Sequence, residues 1–307
     1  MLNCLESTYN FLVKQTILMK RYVNHIVFFI YALTLLQSCT DKNRPNLNMD
    51  NLYPWCIVAF DSLERTPTQR IKMLKDLGFT KYAYDWRDKD LNDMKSELEL
   101  AKKNNIEVVS VWLWLNAKRD SLSKLSPSNE KVFEILKESN LRTNLWLSFS
   151  NNFFEDLTQE ESINYTAEMI KFIKAKADKI NCKIQLYNHK GWFGNPDNQV
   201  KIIESLPDYD LKMVYNFHHA HNYLENFPQI VKTIKPHLAS VNLNGMQIDG
   251  AKILPIGKGE HEKDMIKLLL DEGFNGTWGI LGHVENKDVE IVLKQNLSGL
   301  ESLQLNF

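Results

Sequence analysis

The sequence alternates short apolar segments with amphipathic segments of helical period, and this alternation recurs eight times between residues 56 and 305. Strands that alternate with helices are typical of a parallel sheet, because the connection between parallel strands is usually a helix. Eight such units in roughly 250 residues favour a closed barrel over an open sheet. We therefore predict a single-domain α/β protein, a (β/α)8 TIM barrel over residues 53–307.

Capping residues mark the borders of the units. Thr66 and Thr158 each precede a glutamine or glutamate by three residues, which is the capping-box pattern of a helix start. Gly78 and Gly273 stand where a helix is expected to end. The predicted strands are 56–60, 81–86, 106–115, 142–149, 182–188, 211–217, 238–244 and 277–282.

A nucleotide cofactor is not expected. An open doubly wound sheet would need a glycine-rich phosphate loop after its first strand, and residues 61–65 contain no glycine. The sequence also contains neither a dinucleotide fingerprint nor a P-loop. The 37 Lys and Arg against 38 Asp and Glu give a net charge of −1, which argues against a nucleic-acid partner.

The first forty residues differ in composition from the rest. Two basic residues precede an apolar run, 26–36, which is too short for a membrane-spanning helix of about 20 residues. The run ends in Leu-Gln-Ser-Cys, which resembles the lipobox of bacterial lipoproteins, where the cysteine is lipidated. We predict a signal region 1–38 with its start at Met19, lipidation at Cys39 and a tether over 39–52. An uncleaved N-terminal anchor is the alternative.

This segment predicts an exported protein, held to a membrane only by its lipid, in the periplasm or at the cell surface. Four cysteines are too few for a disulfide scaffold. Cys56 and Cys182 lie in the domain, and we expect both to be buried thiols rather than a disulfide pair.

Histidines concentrate at the predicted strand ends. Five of the eight follow strands five, six and eight, and catalytic groups of a barrel come from the carboxyl ends of its strands. Imidazole exchanges protons near neutral pH and, when neutral, binds metal ions. The catalytic candidates are His189, His219 and His221, and the candidate metal ligands are these three and His283.

Aromatic, amide and charged residues occupy the other strand ends. Tryptophan faces suit sugar rings, although core packing explains them equally well, and asparagines both donate and accept hydrogen bonds to hydroxyls. Asp85 and Arg87 could instead form an ion pair at the barrel rim. The substrate-binding candidates are Asp85, Arg87, Trp112, Trp114, Trp146, Tyr187, Asn188, Trp192, Asn216, His218, Asn242, Asn244 and His283.

The eight-unit pattern, the histidine-rich sixth strand end and the Gly257-Lys258-Gly259 turn resemble the sugar phosphate isomerase/epimerase family of the xylose isomerase-like TIM barrel superfamily. The resemblance covers about residues 55–305. The segments 84–87, 187–194 and 215–221 are similar to a secreted branch of that superfamily. The resemblance implies a carbohydrate substrate and one divalent metal held by Glu, Asp, His and Glu of strands five to eight.

Those ligands are not retained at the matching positions. Tyr187 stands at the glutamate of strand five, Asn216 at the aspartate of strand six and Asn242 nearest the histidine of strand seven. Gly282 or His283 stands at the glutamate of strand eight. A metal site rearranged around the histidines remains open, because imidazoles suit transition metals.

The leading functional prediction is an isomerase- or epimerase-like enzyme that removes a proton next to a sugar carbonyl. A lyase or hydratase acting on 3-keto-glycosides is an alternative, because it shares that first step. A sugar-binding lipoprotein without catalysis is the other. Endonuclease IV belongs to the same superfamily, but this sequence lacks its multi-metal ligands.

Overall fold

The structure is a computed structural model, and it describes residues 47–115 and 122–305. The signal region 1–38, the lipidation site Cys39 and most of the tether predicted over 39–52 lie outside these residues. Within the described segments, no helix has the length and apolar character needed to cross a membrane.

Eight parallel strands form one sheet that curves into a nearly closed barrel. The ladder runs β1-β8-β7-β6-β5-β4-β3-β2, so β2 to β8 each pair with their neighbours in the chain, and β1 pairs with β8 but not with β2. The predicted (β/α)8 fold is confirmed. The strands are β1 Leu52–Trp55, β2 Lys81–Tyr84, β3 Glu107–Leu115, β4 Asn144–Phe149, β5 Lys183–Tyr187, β6 Lys212–Asn216, β7 Leu238–Leu243 and β8 Thr277–Leu281.

Helices return the chain from each strand to the next. Thr66 and Thr158 form the predicted capping boxes, and Ser126 caps a third helix through its side chain. The helices are α1 Pro67–Asp76, α2 Leu91–Lys103, α3 Pro127–Glu138, α4 Gln159–Asp178, α5 Gly191–Gly194, α6 Pro196–Glu204, α7 Phe227–Ile234, α8 Glu262–Asp271 and α9 Val289–Ser302. Short 3-10 helices cover Met49–Asn51, Asp88–Asp90, Asn151–Phe154, Pro207–Tyr209 and His218–Asn226.

The first strand lies earlier than predicted. The prediction of a strand over 56–60 was wrong, because β1 ends at Trp55 and Cys56 adopts φ 61°, a left-handed conformation that breaks an extended strand. Pro54 lies within β1 and hid it from the sequence pattern, since proline is confined to edge strands in sheets. Leu47, in the predicted tether, is buried in the core, so the domain extends further toward the N-terminus than residue 53.

Asp85 bridges the one seam in the barrel. Within the described residues no backbone ladder joins β1 to β2, which are the two ends of the sheet order. The buried Asp85 carboxylate, just after β2, accepts N–H bonds from the loop after β1. The donors are Ile57 at 2.9 Å, Val58 at 3.1 Å and Ala59 at 3.3 Å. Burial raises the pKa of Asp85 to about 6, and these N–H bonds oppose that rise.

Ion pairs outside the sheet support the seam and the adjoining β8–β1 side. Arg70 of α1 donates to Glu97 of α2 at 2.5 Å and to the carbonyl of Arg65 at 2.7 Å. Arg65 in turn binds Asp61 and Asp288, each at 2.7 Å, and so ties the loop after β1 to the start of α9. Removing one partner of a buried pair is costly, because the other charge is left without compensation.

The Asp85→Asn variant tests the seam. The amide oxygen keeps the bonds from Ile57 and Val58, but the amide nitrogen faces the Ala59 N–H, so one buried donor loses its acceptor. We expect the free energy of unfolding to fall by about 1–3 kcal/mol. Urea denaturation at pH 7.5 measures it, with the exposed Asp93→Asn of α2 as the matched control. Equal stability of both variants would contradict this role.

Candidate active site

A cavity of about 840 Å³ opens at the carboxyl ends of β2, β3 and β5. This is the end of a barrel where catalytic groups gather. Its lining combines indole rings with charged and hydroxyl groups. The lining residues are Trp86, Arg87, Asp88, Lys89, Trp112, Trp114, Ser126, Ser128, Asn129, His189 and Lys190.

Stacked aromatic rings fill the barrel interior beside the cavity. Trp146 and Tyr187 stack with centroids 5.5 Å apart, and Trp55 packs edge-on against both, at 4.9 and 5.7 Å. The Tyr187 oxygen accepts hydrogen bonds from the Trp55 indole at 3.0 Å and from the Asn216 amide. Burial raises the pKa of Tyr187 well above its usual value, so the phenol stays neutral.

A second side-chain hydrogen bond crosses the barrel interior, between β1 and β7. Tyr53 of β1 donates to Asn242 of β7 at 2.7 Å, across the intervening strand β8. Gly279 of β8 lies between them, and a Cβ there would overlap both the Asn242 amide and the Tyr53 ring. Glycine is therefore required at this position for the tyrosine and the asparagine to meet.

Four imidazoles form a row along the top of the barrel. The ring centroids of His189 and His219 are 4.4 Å apart, those of His219 and His218 also 4.4 Å, and those of His218 and His283 6.2 Å. His189 also packs against Trp114 at 5.0 Å. The structure thus brings together histidines from the ends of three strands, as the sequence pattern predicted.

Burial keeps most of this row uncharged. Burial is the main cause that lowers the pKa of His189 and of His218 to about 4, and the pKa of His219 well below its usual value. Neighbouring positive charges, Lys190 and Arg87 among them, add to the effect at His189. The His189 Nδ1 is buried and has no hydrogen-bond partner among the described residues, so Nε2 is the ring nitrogen that can meet a molecule in the cavity.

Arg87 and two aromatic side chains pack beside the histidine row. The Arg87 guanidinium lies 5.0 Å from the Trp112 ring centroid and 5.2 Å from that of Phe60. Phe60 packs on His283 with centroids 3.7 Å apart, and Trp112 lies 5.9 Å from His189. These two cation–π contacts hold the guanidinium beside the histidine row.

The turn after β5 presents His189 to the cavity. The His189 N–H donates to the Tyr187 carbonyl at 2.7 Å, which turns the chain sharply at the strand end. Gly191 then adopts φ +65°, and a Cβ there would overlap the side chain of Asn151. Glycine at 191 thereby lets the 3-10 helix Asn151–Phe154 approach this turn closely.

Several predicted binding residues lie in the barrel interior rather than on the cavity wall. Asn188 bonds the backbone of Asn216 through both its oxygen, at 2.7 Å, and its nitrogen, at 3.4 Å, and so joins β5 to β6. Asn244 donates to the carbonyls of Gly245 and Lys252 and shapes the loop after β7. The other interior residues among the candidates are Trp146, Tyr187, Asn216 and Asn242.

Three other candidates lie away from the row. Asp85 closes the seam through backbone bonds instead of forming the ion pair considered from the sequence. Trp192 stacks on Phe154 at 4.7 Å and donates to Gln159 at 2.8 Å, on the outer side of α5. The His221 ring bonds the Gln247 carbonyl in the exposed loop region, so it stands apart from His189 and His219. The cavity is lined by Arg87, Trp112, Trp114 and His189. The row continues from His189 through His219 and His218 to His283.

Sequence reasoning missed Phe60, Trp55, Trp86 and Asn129 as site residues. Trp55 was missed because the first strand was misplaced, so its end was read too late. Phe60 stood at the end of that predicted strand, and its apolar ring was taken as part of the strand. Trp86 follows β2 directly, and its indole donates to the Trp112 carbonyl at 2.7 Å. Asn129 donates to the Trp114 carbonyl at 2.9 Å, and its place in the first turn of α3 was the available signal.

The residues at the expected metal-ligand positions do not fit a divalent cation. The Tyr187 oxygen already accepts two N–H bonds, the Asn216 nitrogen is one of those donors, and Asn242 accepts from Tyr53. The histidines extend in a row instead of converging on one point, and His221 lies apart. Within 47–115 and 122–305, no three such side chains are placed to hold one ion. No catalytic step is therefore derived through a metal.

The ionisation of the row can be measured by NMR. We expect His189 and His218 to remain neutral as pH falls through 6.5 and to take up protons only near pH 4, because burial disfavours the imidazolium. Histidine ring signals recorded from pH 8 to 4 report this, with His189→Gln and His218→Gln assigning the resonances. Titration of either ring near 6.5 would show that water reaches the row freely.

No protein-family model and no curated protein matches this sequence. Solved structures do match its fold. The 3-keto-D-glucoside 4-epimerase YcjR from E. coli is 12% identical, with a TM-score of 0.60 over 83% of this chain and 98% of that one. The IolI protein with a bound zinc atom is 11% identical, with a TM-score of 0.64 over 82% of this chain and 96% of that one. A D-psicose 3-epimerase with D-tagatose from Clostridium cellulolyticum H10 is 13% identical, with a TM-score of 0.57 over 83% of this chain and 98% of that one.

These identities are low, so the likeness concerns the fold. Another match is a xylose isomerase domain containing protein from Salmonella typhimurium LT2, 13% identical, with a TM-score of 0.60 over 83% of this chain and 98% of that one. The fold on which the sequence resemblance rested is confirmed. The chain has the architecture of the xylose isomerase-like TIM barrels.

Proposed function

We propose that this barrel catalyses proton transfer at a carbon next to a carbonyl of a carbohydrate, as an isomerase or epimerase. One observation carries the proposal: His189, a member of the row of neutral imidazoles, lines a tryptophan-walled cavity. Neutral imidazole is the form of histidine that can accept a proton. Several proteins of the same fold bear epimerase names, which supports the reaction class.

The tryptophans suit a sugar ring. Trp112 and Trp114 line the cavity side by side, with ring centroids 5.6 Å apart. Indole faces pack against the C–H faces of a sugar, while Ser126, Ser128 and Asn129 offer hydroxyl and amide groups for its hydroxyls. A ring held against Trp114 also lies near His189, because these two side chains are in contact.

His189 is the base in this mechanism. With a proton on the buried Nδ1, His189 takes the proton from the carbon through Nε2, and the carbon–hydrogen electrons move to form an enolate. The resulting imidazolium and enolate attract each other, and the burial of the histidine row strengthens this attraction. An epimer forms when the imidazolium proton passes to water and a proton from water reaches the other face of the carbon. Return of the proton to the former carbonyl carbon, with a hydroxyl proton shift, gives the isomer.

His219 is placed to assist the transfer. Its ring is 4.4 Å from that of His189, close enough to stabilise the imidazolium through its neutral nitrogen. Elimination across the ring begins with the same enolate and needs only a leaving group on the next carbon. A lyase acting on 3-keto-glycosides would therefore use the same residues, and product analysis separates the two outcomes.

Solvent deuterium exchange tests this mechanism. The whole chain is incubated in D2O with D-fructose, D-psicose, D-tagatose or a methyl 3-keto-glucoside, and NMR detects deuterium at the carbon next to the carbonyl. We expect exchange with at least one of these probes, and a fall of about 10²–10⁴-fold in His189→Gln, because a positioned base contributes that factor.

The matched control is His237→Gln, which removes a histidine just before β7, at the opposite end of the barrel. It is expected to retain the parent rate. Exchange that persists in His189→Gln would exclude His189 as the base. Sugar binding detected by tryptophan fluorescence without any exchange would favour the non-catalytic sugar-binding alternative.

We also propose that the chain is exported and anchored through a lipid on Cys39, as in lipoproteins of the secreted branch. The support is the basic, apolar and Leu-Gln-Ser-Cys order of residues 20–39. A lipid at the N-terminus would leave the barrel free to meet sugars outside the cytoplasm.

The Cys39→Ala variant tests the anchor in a bacterial host. We expect the parent chain to enter the detergent phase of a Triton X-114 extraction and to start at a modified Cys39 by mass spectrometry. Cys39→Ala should move to the aqueous phase, whereas Cys4→Ala, the matched control, should behave like the parent. A parent chain that retains residues 19–38 would contradict lipidation at Cys39.

A further inference from the structure

Two positive charges on the cavity wall lack an ionic partner. Within 47–115 and 122–305, neither Arg87 nor Lys190 has a carboxylate within 4.0 Å, the distance at which other surface cations form their pairs. Lys89, also on the wall, is paired with Glu64 at 2.8 Å. The one carboxylate of the lining is the exposed Asp88. Arg87 and Lys190 therefore leave the wall positively charged.

Arg87 is held in a definite orientation. Its guanidinium lies 5.2 Å from the Phe60 ring centroid and 5.0 Å from that of Trp112, and one of its N–H groups donates to the Trp86 carbonyl at 2.8 Å. These three contacts fix its position on the cavity wall. The remaining N–H donors form a planar fork that matches the two oxygens of a carboxylate.

Both charges act on the candidate base. Lys190 follows His189 directly, and Lys190 and Arg87 each contribute to lowering the pKa of His189. An anion bound between the two cations would cancel their effect, so substrate binding itself would make His189 a stronger base. The acidic group and the reacting carbon would then belong to one molecule.

We propose that the substrate is a sugar acid, whose carboxylate binds Arg87 and Lys190 while its carbonyl-bearing carbons face His189. Binding of the carboxylate follows from the charges of the cavity wall alone. The orientation toward His189 rests on the proposed function. A phosphate would also be attracted, because the same fork binds phosphate oxygens, so the experiment compares the two groups directly.

Binding measurements with matched sugars test the inference. The probes are D-glucuronate with D-glucose, D-galacturonate with D-galactose, and D-glucose 6-phosphate, followed by tryptophan fluorescence and calorimetry on the whole chain. We expect at least one uronate to bind about 10-fold or more tightly than its neutral parent, because hydrogen bonds to a charged group are worth that factor. Added salt should weaken the preference.

Variants locate the preference. Arg87→Gln should abolish it, and Arg87→Lys should retain part of it, since charge remains but the fork is lost. Lys190→Gln should reduce it. Lys183→Gln is the matched control, because it removes the same charge at the opposite end of β5 and should leave the preference unchanged.

Four outcomes overturn the proposal. In two of them, uronates bind no more tightly than neutral sugars, or show no binding up to millimolar concentration. In the other two, the preference for uronates survives Arg87→Gln, or glucose 6-phosphate binds more tightly than any uronate in an Arg87-dependent way. Failure of the proposed function is seen separately. The exchange test is therefore repeated with D-fructuronate, which carries both a ketone and a carboxylate. Arg87-dependent uronate binding without exchange of any probe would keep this inference and remove the catalytic one. His189-dependent exchange of neutral sugars without a uronate preference would keep the catalytic proposal and remove this inference.

Discussion

The barrel depends on a single carboxylate at its seam. Seven of its strand pairs are joined by ladders, whereas β1 and β2 meet through Asp85 and the N–H groups of the loop after β1. That loop carries Phe60, which packs against His283 and Arg87. Closing the seam therefore also sets one wall of the candidate site. A carboxylate that the sequence pattern suggested for ligand binding instead holds backbone in place.

The upper barrel is built from neutral groups. Phenol, indole and amide side chains satisfy one another where relatives of this fold are expected to place charged ligands. Burial then keeps the adjacent imidazoles uncharged. A dry, neutral interior lowers the local dielectric, so any charge that develops on a bound molecule is felt strongly by His189 and by the cations at the rim.

The sequence predicted the fold because strand and helix periods repeat with clear caps such as Thr66 and Thr158. It predicted the histidine row because strand ends of a parallel barrel converge. It failed at β1, where Pro54 interrupts the pattern and the apolar run 56–60 forms a loop. It also could not separate Trp112, which lines the cavity, from Trp146, which is buried, because depth along the barrel axis depends on register between strands.

The hydrogen-bonded interior also limits how the sequence can change. Replacing Tyr187 alone by a glutamate would place a charge among Trp55 and Trp146 and leave two N–H donors to rearrange. Adding a side chain at Gly279 or replacing Asn242 would break the hydrogen bond from Tyr53. The effect of a substitution on any of these four strands therefore depends on the residues of the other three. Single substitutions that lead from this interior to a carboxylate-lined one pass through unstable proteins.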